Sequence, residues 1–204
     1  MASKTRSIFE DVSDIQKPLA APGGIDARGK GAREAIRVWL MMLFTLVVVM
    51  IIVGGLTRLT DSGLSITEWA PVSGAMPPMN VAAWEAEFEA YKQIPEYIEQ
   101  NAGMSLSEFK VIYYWEWGHR QLGRVIGIVW ALGFVYFLVR RQIPVGWTGR
   151  LVFIGALGGL QGAIGWWMVH SGLQVGMVDV ASYRLATHLG LAFVILGFIA
   201  WLVF

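Results

Sequence analysis

The stretch IRVWLMMLFTLVVVMIIVGGL, residues 36–56, holds one charged side chain, Arg37, in a continuous apolar run. A helix of about 20 apolar residues crosses the ~30 Å hydrocarbon layer of a bilayer. Three further runs of this kind follow at residues 120–139, 151–169 and 185–204. With 55% hydrophobic and 15% charged residues, the composition is that of a membrane protein. The sequence therefore predicts an all-α, polytopic membrane protein with a bundle of four transmembrane helices.

The distribution of basic residues predicts the orientation of this bundle. The tail up to Arg37 holds seven Lys and Arg residues, and the 140–150 connection holds three more. The segment 57–118 instead holds three basic residues against nine acidic ones. By the positive-inside rule, the tail (residues 1–35) and the 140–150 turn face the cytoplasm. Residues 57–118 and 170–184 are then extracytoplasmic.

Local signals divide the extracytoplasmic segment into short elements. The first span is predicted to end at Gly54-Gly55, before a loop rich in turn-forming residues. Residues 82–93 read as a short amphipathic helix with an aromatic stripe of Trp84, Phe88 and Tyr91. Ser105 and Glu108 form a capping-box pattern that opens a helix reaching about residue 140. Such a helix is longer than the membrane is thick, so its first turns must project outside.

Two of the three histidines are candidates for axial ligands of a haem iron. His119 and His188 each lie near the start of a helix that runs from outside to inside, so they enter the membrane at similar depth. Two imidazoles facing each other across a four-helix bundle are a simple way to hold haem iron. Zinc normally recruits a third or fourth ligand, and the chain has no cysteine. His170, predicted to lie in a loop, has no such role.

The neighbours of the two histidines suit a large, flat, anionic ligand. Arg120, Arg124 and Arg184 lie near the water boundary, where haem propionates would point, and Gly123 leaves room for a macrocycle. The alternative is that the arginines snorkel, the histidines bond to backbone, and a glutamate, Glu116, pairs with the arginine one turn on.

Glu116 points to chemistry beyond electron transfer. An ionisable group within a membrane segment is a functional candidate by default. A carboxylate one turn from an axial histidine would act in proton transfer or stabilise positive charge developing on a substrate.

Several long motifs resemble the haem A synthase family, in its alphaproteobacterial and mitochondrial branch. The similarity covers nearly everything from residue 37 onward, through GGLTRLTDSGLSITEWAPVSGAMPP (54–78), WEAEFEAYKQIPEY (84–97), MSLSEFK (104–110), YWEWGHRQLGR (114–124), QGAIGWWMVHSGL (161–173) and YRLATHLG (183–190).

The resemblance implies an enzyme that oxidises the C8 methyl of haem O to a formyl group, giving haem A for cytochrome c oxidase. It implies that His119 and His188 hold the substrate haem and that Glu116 takes part in the oxidation. Family members have eight transmembrane helices in two similar halves, the second of which holds haem b. The chain stops at Phe204 within an apolar run, so we expect residues 36–204 to be one half of such a protein.

The resemblance also sets the expected surroundings. It implies a bacterial inner membrane with membrane lipid around the spans, haem O as substrate, and haem O synthase, an electron donor and a second copy of the chain as partners. No basic arm suggests nucleic acid, and the net charge is only +1. Two other functions stay open: a b-type membrane cytochrome that passes electrons, and a non-enzymatic haem-binding factor for oxidase assembly.

Overall fold

The computed structural model describes residues 30–204, all of whose regular elements are helical. A 3₁₀ turn at Ser73–Ala75 lies between the first two α-helices. The α-helices are α1 (Lys30–Leu59), α2 (Val81–Tyr91), α3 (Pro95–Glu99), α4 (Leu106–Val139), α5 (Thr148–Gly172) and α6 (Ser182–Val203). In this part of the chain, four helices are long and apolar enough to cross a membrane: α1, α4, α5 and α6. The predicted all-α, polytopic membrane fold is thus confirmed.

The four long helices form an up-and-down bundle. Helix α1 packs against α4 and α6, and α5 completes the ring by packing on α6 and, less extensively, on α4. The helices α4 and α6 therefore lie on one diagonal of the bundle. At one end, Arg58 at the end of α1 pairs with Asp179 of the loop before α6. The segment 57–105 and the loop 173–181 thus meet at the same end of the bundle.

At the opposite end, the bundle has a purely apolar core. Trp39, Leu40 and Leu43 of α1 lie in one buried cluster with residues of the other three long helices: Phe137, Leu151, Ile154, Leu157, Ile195, Ile199 and Val203. The indole of Trp39 donates to the Val129 carbonyl at 3.0 Å, so its polar atom is satisfied without water. We call these residues the inner cluster. They hold the four helices together near the predicted cytoplasmic side.

A second core lies at the loop end and is mainly aromatic. The stripe of Trp84, Phe88 and Tyr91 on α2 is buried against Phe109 and Tyr113 of α4, as the amphipathic pattern predicted. The predicted capping box is also present: Glu108 N–H donates to Ser105 Oγ, and Ser105 N–H donates back to the Glu108 carboxylate. These contacts fix α2 and α3 to the first turns of α4. We call this part the outer unit.

Two predicted helix boundaries are wrong, and both helices continue one turn further. Helix α1 passes through Gly54-Gly55 to Leu59, because Gly54 serves a close helix contact rather than a turn. Thr57 Oγ1 donates to the Val53 carbonyl inside this extra turn. His170 lies in the last turn of α5 and not in a loop. Helix α1 already includes residues 30–35, and the rest of the predicted tail lies outside the described residues.

Candidate functional site

The imidazoles of His119 and His188 each rest on a glycine of a neighbouring helix. A β-carbon added to Gly54 of α1 would lie 3.2 Å from His119 Nε2. A β-carbon added to Gly165 of α5 would lie 2.9 Å from His188 Cε1, closer than real contacts allow. His188 would therefore have to move if residue 165 carried a side chain, whereas a side chain at residue 54 would make a tight contact with His119. The sequence predicted a helix end at Gly54, so the contact of this glycine with His119 was not foreseen.

The two histidines lie at matching depth on the diagonal helices α4 and α6. Their glycine neighbours lie about one and a half turns inside the loop-side end of α1 and about two turns inside that of α5, at about 1.5 Å of rise per residue. The histidine level thus lies between the inner cluster and the aromatic outer unit. This is the arrangement expected of two axial ligands from opposite helices.

Polar atoms at this level are left without partners. Within residues 30–204, neither His188 Nδ1 nor Gln161 Oε1 has a hydrogen-bond partner, although both atoms are buried. The Gln161 amide donates to the His188 carbonyl at 3.0 Å and lies 3.5 Å from His188 Nε2. A buried polar atom without a partner costs on the order of 1–3 kcal/mol and calls for an explanation. The imidazole nitrogens of His119 and His188, with the Gln161 amide beside one of them, are ligand atoms of the kind that bind haem iron.

Glu116 is the opposite case, because its buried carboxylate is fully bonded. Its side chain is 3% exposed. Oε2 accepts from Ser65 Oγ at 2.8 Å and from the Ile66 N–H at 2.7 Å. Oε1 accepts from Arg120 Nη2 at 2.6 Å and from Arg120 Nε at 3.1 Å. Every one of these contacts is a donor, which suits a carboxylate anion.

The polar face of α4 binds the loop that follows α1. Arg120 donates to the Ile66 and Glu68 carbonyls, both at 3.0 Å. Gln121 donates to the Ala75 carbonyl at 2.6 Å. Arg124 donates to the carbonyls of Ala70 and Pro71, both at 2.9 Å. Three side chains on two successive turns of α4 thus hold residues 66–75 against this helix.

The remaining predicted site residues are less constrained. Arg124 Nη1 is buried and has no partner among residues 30–204, so one arm of this guanidinium is available for a ligand. Arg184 donates to the Trp167 carbonyl at 2.7 Å and lies over the Trp167 ring at 4.5 Å. Gly123 faces α1, where a β-carbon would lie 3.5 Å from the methyl group of Met50. The predicted roles of Arg120, Arg124, Arg184 and Gly123 toward a haem stay predictions.

Three groups of the site were not singled out from the sequence. They are Ser65, the Ile66 N–H and Gln161. Ser65 and Gln161 lie inside motifs that carried the family resemblance, but their partners depend on loop conformation and helix packing. The Glu116–Arg120 contact itself was foreseen as the alternative to a ligand role. It is present as an ion pair.

Fold and site together define the class: a helical membrane protein with two half-buried imidazoles on opposite helices of a four-helix bundle. The chain belongs to the COX15-CtaA family of cytochrome oxidase assembly proteins, whose model matches residues 37–204. The family resemblance read from the motifs is thereby confirmed.

Curated relatives agree with this assignment. The chain is 70% identical to a heme A synthase of Dinoroseobacter shibae over 98% of its own length and 53% of the relative. It is 69% identical to one of Ruegeria sp. over the same shares, and 63% identical to one of Paracoccus denitrificans over 97% and 52%. The chain thus spans about half the length of the curated relatives it matches. No solved structure matches it.

Proposed function

We propose that residues 36–204 form the haem O-binding half of a haem A synthase. The supporting observation is the histidine level, where two imidazoles on diagonal helices lie beside buried atoms that have no partner among residues 30–204. The high identity to curated heme A synthases supports the reaction. In this proposal, haem O is the substrate, and its C8 methyl group is oxidised to the formyl group of haem A.

His119 and His188 would supply the two axial nitrogens for the substrate iron. Their glycine neighbours let each imidazole lie close to a helix backbone, which limits the directions in which its ring can turn. Gln161 would orient His188 through its bond to the backbone carbonyl of that residue. A substrate bound in this way is held in one orientation relative to α4, and fixed orientation is itself a large part of catalysis.

Glu116 would stabilise positive charge that develops on the substrate during oxidation. Its four donors hold the carboxylate in one place, so it needs no rearrangement when that charge appears. Arg124 would pair with a propionate through its unpartnered nitrogen, and Arg184 and Gly123 would line the same ligand. Arg120 would act mainly by holding Glu116.

The wider setting of the proposal follows from the relatives. The part of each relative that this chain does not match would carry haem b and the route for electrons. The protein would lie in the bacterial inner membrane with its N-terminus in the cytoplasm, as the basic residues of the tail and the 140–150 turn indicate. Haem O synthase would deliver substrate, an electron donor would feed the second half, and copies of the protein would associate.

A chimera tests the reaction. Residues 1–204 would replace the corresponding half of the Paracoccus denitrificans relative, and membrane pigments would be extracted after addition of haem O. Formation of haem A is expected, and Glu116→Ala should leave haem bound but unconverted. Unchanged haem O, together with a reducible bis-histidine signal that is lost in His119→Ala, would instead favour an electron-carrying cytochrome, because that signal would not come from the haem b of the second half. Bound haem with neither conversion nor reduction would favour an assembly factor.

A further inference from the structure

The segment Trp69–Trp84 lacks charge in an otherwise acidic region. Its sequence, WAPVSGAMPPMNVAAW, contains no Asp, Glu, Lys or Arg, whereas Glu68 precedes it and Glu85 follows it. The rest of the extracytoplasmic segment carries all nine acidic residues of that region. The segment also links the site on α4 to helix α2. Its composition therefore differs from that of the loop around it.

Four large apolar side chains of this segment are exposed. Val72 is 84% exposed, Met76 64%, Met79 73% and Val81 68%. Few soluble loops leave four large apolar side chains in a row of ten residues uncovered, and exposed apolar patches of this kind mark an interaction surface. We call these four residues the apolar strip.

Hydrogen bonds to α4 fix the depth of the strip. Gln121 and Arg124 hold the carbonyls of Ala70, Pro71 and Ala75. Counting 20 residues outward from Arg140, where the apolar part of α4 ends, brings the outer edge of a ~30 Å hydrocarbon layer to about residue 120. The loop backbone at residues 70–75 is therefore held at the outer boundary of the hydrocarbon layer.

Aromatic side chains mark the same level. Trp69 stacks on Trp166 of α5 with ring centroids 6.1 Å apart, and it is still 56% exposed. Tyr183 and Trp167 at the loop-side ends of α6 and α5 are also exposed. Tryptophan and tyrosine gather where a membrane protein meets the headgroups.

We propose that the apolar strip is a membrane-interface anchor that inserts into the outer leaflet of the bilayer. Val72, Met76, Met79 and Val81 lie among the lipid chains and headgroups, while Gln121 and Arg124 satisfy the backbone behind them. The lipid surface thereby fixes the loop that carries Ser65 and Ile66, the donors to Glu116. The inference concerns the strip and does not depend on the haem reaction.

The natural absence of cysteine makes the test direct. Val72→Cys, Met76→Cys and Met79→Cys would each carry a nitroxide label in the whole chain, reconstituted in vesicles of phosphatidylethanolamine and phosphatidylglycerol. Electron paramagnetic resonance then compares relaxation by oxygen, which concentrates in lipid, with relaxation by a water-soluble nickel chelate. Leu132→Cys, 68% exposed on the membrane-spanning part of α4, is the lipid control. Ile98→Cys, 60% exposed on α3, is the water control.

The strip labels should resemble the lipid control, with oxygen relaxing them several-fold more than nickel does. Values like those at position 98 would overturn the proposal, since the strip would then lie in water. Protection from both reagents would also overturn it, because the strip would then be covered by protein, such as a second copy of the chain. Three label positions keep the result independent of any single substitution.

Discussion

Glu116 and His188 are both polar groups inside the loop-side half of the bundle, yet their surroundings are opposite. The Glu116 carboxylate accepts hydrogen bonds from Ser65, from Ile66 and from two nitrogens, Nε and Nη2, on one edge of the Arg120 guanidinium. Within residues 30–204, His188 Nδ1 has no partner at all. A satisfied buried group contributes to the fold, whereas an unsatisfied one costs stability until something binds it. The difference separates a carboxylate that holds the loop after α1 from an imidazole whose Nδ1 has hydrogen-bonding capacity that the described residues do not use.

The largest effect should come from removing the unsatisfied group. His188→Ala or His119→Ala should abolish the low-spin spectrum of haem bound to this bundle, because each leaves the iron with one axial nitrogen. The measurement is visible absorption of the purified chain titrated with haem. His170→Ala, exposed at the end of α5, is the matched control and should leave the spectrum unchanged. If His188→Ala kept the low-spin spectrum, His188 would not bind the iron, and the proposed difference between His188 and Glu116 would be wrong.

A smaller change at the same level tests whether the imidazole orientation matters. Gly165→Ala places a methyl group 2.9 Å from His188 Cε1, so the ring must move. Overpacking of this kind costs about 1–3 kcal/mol, which predicts haem binding weaker by roughly five- to 150-fold. Gly162→Ala is the control, because within residues 30–204 nothing lies within 4 Å of its added carbon. Equal affinities for the two variants would contradict a role for the Gly165 contact.

Glu96 lies between Glu116 and His188 in this comparison, because its buried carboxyl accepts only one hydrogen bond within residues 30–204. This buried carboxyl of the outer unit accepts a hydrogen bond from Tyr91 at 3.1 Å. Burial raises its pKa to about 7, the bond from Tyr91 works in the opposite direction, and repulsion from Glu116, Asp61 and Asp179 adds to the rise. The protonated form is thus favoured in the folded protein. Stability from this group is fully present below pH 4.5, its ordinary pKa, and is lost as the pH rises through about 7.

Glu96→Gln should remove that loss, because an amide keeps the acceptor oxygen without a charge. We expect the outer unit to gain on the order of 2 kcal/mol at pH 8 and little at pH 4. Hydrogen exchange of the α2 and α3 amides at both pH values measures the difference. Glu99→Gln, an exposed neighbour on α3, is the control and should show no such pH dependence. A gain that is the same at both pH values would show that burial of charge is not the cause.

The smallest expected effect tests the satisfied group. Ser65→Ala removes one of the donors to Glu116 and should cost about 1 kcal/mol of loop stability, because three donors remain. Protection of the residue 62–75 amides against hydrogen exchange should fall, while haem affinity changes little. Ser73→Ala, exposed in the 3₁₀ turn, is the control. If Ser65→Ala lowered haem affinity as strongly as Gly165→Ala, Glu116 and His188 would belong to one network.

Sequence patterns predicted the elements that depend on periodicity and caps. The four spans, the buried stripe of Trp84, Phe88 and Tyr91, and the capping box at Ser105 all follow from local chemistry. The predicted end of α1 was wrong because the sequence of a glycine pair does not show whether the pair ends a helix or lets a neighbouring side chain approach. Only the packing of His119 on Gly54 decides between the two.

The contacts of the site also divide into those that helical spacing predicts and those that depend on tertiary structure. Spacing on α4 placed Glu116, His119 and Arg120 on one face, and the Glu116–Arg120 pair follows from their separation of one turn. The bonds from Ser65 and Ile66 come from a loop without periodicity, so no pattern in the sequence predicts them. The contact of Gln161 with His188 joins two helices, and its geometry depends on how those helices cross.

The inner cluster has a consequence for the order of assembly. Its contacts are apolar side chains from all four long helices, and they close the bundle on the side away from the histidines. These contacts therefore favour association of the four helices even in the absence of haem. A bundle that is stable without a ligand can release one bound molecule and accept another without unfolding.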